Sequence, residues 1–145
     1  MNIPDKKSEG KKEENDLSNV SYVIDPSLVE SLGRFLGTLL RDRHSLSCPS
    51  RTDKRKAAMP IEKQIKMISK CCASKNDFIK FGLPLKEIVF RLLLQKGNKP
   101  MRLESLHWDI TEEWARPTNP MTISIQALKR ILDEDSSYGF KGLKP

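Results

Sequence analysis

The sequence predicts a mainly α-helical protein, and three observations carry that prediction. Apolar residues recur at spacings of three and four in several separate stretches, which is the period of one helix face. Residues suited to helix starts, Asp25 with Pro26 and Ser124, stand ahead of two of these stretches. Stop signals, Gly97-Asn98 with Pro100 and later Pro117, close two others.

The chain has 145 residues, enough for one domain or for a small domain with a helical extension. Hydrophobic residues make up 37% and charged residues 31%, so one modest core is what it can bury. No run approaches the roughly 18 to 20 apolar residues of a membrane helix, and no apolar stretch follows the N-terminal lysines as a secretory signal requires. A cytoplasmic protein without membrane contact is the expectation. Three cysteines, two of them adjacent as Cys71-Cys72, make no disulfide framework. There is no CxxC, and His44 and His107 lie far from the cysteines, so neither a metal nor another cofactor is expected.

Residues 1–20 mix lysine, glutamate, serine, glycine and asparagine with almost nothing to bury, and read as a disordered charged tail. Residues 21–82 read as a helical region. It opens with "DPSLVESLGRFLGTLLRDR", where Asp25 caps, Pro26 takes the first helical position, and Leu28, Leu32, Phe35, Leu36, Leu39 and Leu40 form one stripe. A single amphipathic helix is predicted. Gly33 and Gly37 lie four apart on it and would let a second helix approach closely, either within the chain or across a homodimer contact through residues 26–43. A basic loop, 44–59, follows, with Arg51, Lys54, Arg55 and Lys56 clustered in it; solvation or phosphate contact both suit such a cluster. "PIEKQIKMISKCC" then resumes helix, with Ile61, Ile65, Ile68 and Cys72 on one side and Lys63, Lys66 and Lys70 on another. "NDFIKFGLP" offers Phe78, Ile79 and Phe81 to the core.

From Leu83 onward the reading is a small C-terminal domain, 83–145. Leu85, Ile88, Val89, Leu92 and Leu93 give its first helix a broad buried face. "NKPMR" is briefly extended, and Leu103, Leu106, Ile110 and Trp114 mark a second helix. His107 sits beside that stripe in a structural role, and Trp108 points elsewhere as a candidate contact surface. In the last helix Ile125, Ala127, Leu128, Ile131 and Leu132 fall on one side, while Gln126, Lys129, Arg130 and Asp133 fall on the other. "YGFKGL" can then run extended, with Tyr138 and Phe140 on the same side.

This order, covering Leu83 to about Leu143, resembles a winged helix domain, a variant of helix-turn-helix, here with a short or truncated wing. The resemblance implies that the last helix, 124–134, is a recognition helix. Gln126, Lys129 and Arg130 would then face a major groove, where glutamine suits adenine and arginine or lysine suits guanine. Lys141 would be the wing's phosphate contact, and the 51–56 bases would add charge. The acidic run Asp133, Glu134 and Asp135 stands beside that surface, where it would repel DNA, and the sequence assigns it no role.

The net charge of +7 fits a polyanion partner only loosely, because the excess lies mainly between residues 21 and 82. No GxSxG, P-loop or HExxH pattern is present, so an enzyme is not expected. Two functions follow from the reading: a small DNA-binding protein acting in transcription regulation, or a winged-helix-like adaptor that docks a protein partner through Trp108 or the polar helix face.

Overall fold

Where the sequence reading opens residues 21–82 with a helix, a strand stands ahead of that helix. The computed structural model describes residues 17, 19–43, 60–72, 78–79, 83–113 and 123–144. Strand β1 (Ser21–Ile24) leads directly into α1 (Pro26–Ser31), whose N-cap Asp25 accepts the Ser27 amide through its side chain. Helix α2 (Leu36–Arg43) follows after a break. The single helix expected over 25–43 is thus two helices, because Gly33 takes a left-handed φ of +79° and ends the first. Gly33 and Gly37 therefore share no helix face. Gly37 is buried in α2 beneath the Phe35 ring, which a Cβ at that position would meet at 2.6 Å. The single glycine-lined helix face expected for close approach, within the chain or across a homodimer, is therefore not formed by these two residues.

Helix α3 (Ile61–Met67) continues into a π-helical turn (Ile68–Cys72), and the Ser69 hydroxyl donates to the Gln95 carbonyl at the end of α4 (Leu85–Gln95). The two-residue strand β2 (Met101–Arg102) enters α5 (Leu103–Trp108), itself extended by a π-helical turn (Asp109–Glu113). Helix α6 (Ile125–Asp133) and strand β3 (Phe140–Leu143) complete the order. The protein is mainly helical with one small three-stranded sheet, ordered β2-β1-β3 and antiparallel throughout. Among the described residues no helix is long and apolar enough to cross a membrane.

The N-terminal strand is the middle of that sheet. Ser21 pairs with both Arg102 and Leu143, and Tyr22 with both Met101 and Gly142. Its inner residues, Tyr22 and Ile24, are buried; Ser21 and Val23 face outward. One hydrophobic core runs through both halves of the chain, from Val20 and Val29 through Leu40 and Ile68 to Leu93, Leu106 and Leu132. The division drawn at residue 83 is therefore not a division of the core. Val20 belongs to this core, so the charged tail expected over 1–20 stops short of it; residues 1–16 and the basic loop 44–59 lie outside the described residues.

Candidate nucleic-acid interface

Ser124 caps α6 as its residue type predicts, its hydroxyl accepting the Ala127 amide at 3.1 Å. Leu128 and Leu132 are fully buried, each stabilising the docked helix by about 2 kcal/mol. On the other side Gln126 and Arg130 are exposed. Lys129 is placed differently from its two expected companions, because its ammonium pairs with Asp133 at 2.6 Å, one helical turn on. The other oxygen of Asp133 accepts the hydroxyl of Tyr22, also at 2.6 Å. Burial, and then the Asp133 carboxylate, push the Tyr22 phenol far above its ordinary range. This strand-to-helix contact fixes α6 against the centre of the sheet.

Asp135, two residues on, closes the turn. Its side chain is buried and accepts the backbone N–H groups of Ser137, Tyr138 and Gly139 at 3.2, 2.8 and 3.0 Å, with the Lys86 ammonium at 3.3 Å. Burial alone would raise its carboxyl; the three amides and Lys86 outweigh that and hold it below the ordinary range. Two of the three acids thus have structural partners, and Glu134 is exposed. The turn also depends on Gly139, with φ +81°, where a Cβ would stand 2.3 Å from the Val29 side chain.

Beyond the turn, Tyr138 lies between Phe90 and Phe140, with ring centroids 5.3 and 5.5 Å away, the second pair stacked. Its hydroxyl donates to Glu87, a buried carboxylate that also receives Arg43 through two nitrogens (3.1 and 2.8 Å) and Arg91 at 2.8 Å. Burial would raise the Glu87 carboxyl, but the hydrogen bonds from Arg43 and Arg91 prevail and lower it. This hub joins α2, α4 and the segment leading into β3.

The outward face of the sheet carries Arg102 on β2 and Lys141 and Leu143 on β3, at its two edges, with Ser21 and Val23 of β1 between them. Arg102 pairs with Glu104 at 3.1 Å and Lys141 loosely with Asp25 at 3.7 Å; both remain about half exposed. Next to Arg102 a surface groove of about 540 Å³ is lined by Lys96, Lys99, Pro100, Met101, Arg102, Ser105 and Asp109. Sequence reasoning passed over these cations, since "QKGNKPMR" reads as a helix stop and a connector, and only the folded segment shows that they line one groove.

Of the other residues singled out in the sequence, Trp108 is exposed (61%) on α5, and His107 donates from Nε2 to the Ile123 carbonyl at 2.6 Å, tying α5 to the start of α6. Arg51, Lys54, Arg55 and Lys56 lie outside the described residues. Among the described residues no group of three His, Cys, Asp or Glu side chains is placed to hold a metal ion. No protein-family model, curated protein or solved structure matches the chain.

Proposed function

We propose that the protein binds duplex DNA as a small winged-helix-like regulator, with α6 as its recognition helix. The observation that carries this reading is the exposed edge of α6, where Gln126 and Arg130 face solvent on a helix whose other side is buried, and Arg130 makes no ion pair among the described residues. Such a rigidly seated helix can present an amide to adenine and a guanidinium to guanine without ordering itself on contact. The element order from α4 onward (helix, short strand, helix, helix, strand) supports the reading, and β1 lies beside β3, where the sequence alone left the wing one strand short. The pairing of Asp133 with Lys129 and of buried Asp135 with Lys86 supports it too, because each offsets charge that the acidic run would otherwise set against phosphate.

Fluorescence anisotropy with duplex DNA of random sequence, followed across salt concentrations, tests the proposal. Affinity should fall linearly with salt on logarithmic axes, the slope counting phosphate contacts. Gln126→Ala with Arg130→Ala should then erase preference among sequences while leaving the fold intact, whereas Lys129→Ala would also disturb the Asp133 contact and is the poorer probe. Absence of binding at low salt overturns the reading.

One feature favours a second reading, an adaptor: Trp108 is exposed and lies one helical turn from Glu104 on one side and from Glu112 on the other, which disfavours a polyanion at that surface. Trp108→Ala separates the two, since it should leave DNA affinity unchanged if α6 is the reader.

A further inference from the structure

The segment joining α4 to β2 is held more firmly than a connector needs to be. Gly97 and Asn98 are both left-handed, with φ of +73° and +58°. The Asn98 side chain accepts the Ile24 amide and donates to the Ile24 carbonyl, each at 2.8 Å, so that it pairs with β1 much as a strand residue would. This fixed turn carries Lys96 and Lys99, both exposed and neither in an ion pair among the described residues. They line the groove with Arg102 and the Ser105 hydroxyl, and Pro100 and Met101 complete it on this side. Three cations meet two carboxylates, Asp109 in the lining and Glu104 against Arg102, so positive charge remains in excess there and is carried by Lys96 and Lys99.

We infer that this groove is a phosphate-binding site, in which Lys96 and Lys99 give charge-assisted hydrogen bonds to phosphate oxygens and Arg102 and Ser105 complete the lining. Phosphate suits the set better than a carboxylate, since it offers three or more acceptor oxygens to donors arriving from several directions. A lysine pair on a mobile loop would have to be ordered on binding; here the backbone is already set by Asn98, which acts as a positioning residue. The chemistry is shared by two sources, the backbone of a nucleic acid and the phosphate chain of a free nucleotide or polyphosphate. The inference rests on the groove and not on the assignment of α6.

Amide chemical shifts report both sources in one experiment. Sodium tripolyphosphate and a short DNA duplex are titrated separately into the full chain, the double variant Lys96→Ala/Lys99→Ala, and the control Lys63→Ala/Lys66→Ala, which removes equal charge from α3. Shifts centred on residues 96–105 are expected, with affinity falling about tenfold or more in the groove variant and unchanged in the control. Response to tripolyphosphate identifies a free phosphate chain as sufficient; response to the duplex alone identifies the strand backbone. Shifts elsewhere only, no shifts with either probe, or equal loss in both double variants would overturn the inference. Duplex binding that shifts α6 but leaves residues 96–105 unmoved would sink the groove while sparing the recognition helix.

Discussion

Glu87 shows how much of this molecule rests on single polar side chains. Its carboxylate receives two guanidinium groups and a phenol in a nearly buried site, while Arg43 lies 5.0 Å over the Phe90 ring and Arg91 5.4 Å over that of Phe78. Removing the acid leaves two cations half-buried without their partner. Glu87→Ala should therefore cost about 3 to 5 kcal/mol, read as a lower urea midpoint at unchanged slope. Gly139→Ala should cost more than about 2 kcal/mol, because the left-handed backbone and the Val29 contact penalise it together and Val29 is fully buried. Gly97→Ala is the matched comparison: its φ has the same sign but open space surrounds it, so only the left-handed backbone penalty of about 1 to 2 kcal/mol applies. Equal losses for the two glycines would remove packing from the explanation. Little of this was legible in the sequence. Arg91 stands four residues from Glu87, a spacing a helix makes readable, but Arg43 and Tyr138 are 44 and 51 residues away and no local pattern links them.

At the scale of elements, the sequence reveals helices well and strands poorly, for a physical reason. Helix α6 is legible because its cap, its apolar side and its polar side all lie within ten residues. The "SYVI" of β1 is too short to display an alternation, and its partners lie near both Met101 and Leu143. The break between α1 and α2 was hidden because the apolar spacing continues across it; Phe35, counted into the buried stripe, is 63% exposed. The end of β1 depends on a residue that the sequence showed only as a helix stop. Asn98→Ala should cost about 2 to 3 kcal/mol, since it leaves both polar groups of the Ile24 backbone without their side-chain partner. Hydrogen exchange at the Ile24 amide should accelerate, and Asn98→Gly, which relieves the left-handed strain, should not restore protection. Full protection in Asn98→Gly would mean that backbone geometry, not the side chain, holds the strand.

Across the whole molecule, the joints between the early and late parts of the chain are polar contacts laid over a shared apolar core. Glu87 joins α4 to Arg43, Asp133 joins α6 to Tyr22, and Asp25 faces Lys141. Four shifted groups, Glu87, Asp135, Tyr22 and Tyr138, couple pH to the assembly of the fold. Glu87 and Asp135 are held below the ordinary carboxylate range, so the stability they contribute is fully present above about pH 4 to 4.5 and is lost as pH falls through their lower folded values. Tyr22 and Tyr138 are raised, chiefly by burial and further by Asp133 and Glu87; their contribution is present below about pH 10 and is lost as the unfolded phenols ionise above it. Thermal midpoints should form a plateau between these limits and decline on both sides. Glu87→Gln should flatten the acid limb and lower the plateau, because the neutral amide no longer titrates and pairs more weakly with two guanidinium groups. Tyr22→Phe should reduce the alkaline limb and lower the plateau modestly, since the hydrogen bond to Asp133 is lost while Asp133 stays paired with Lys129. An acid limb unchanged in Glu87→Gln would place the coupling in other carboxylates, and Asp135→Asn then becomes the informative variant, because three backbone donors converge on that one side chain.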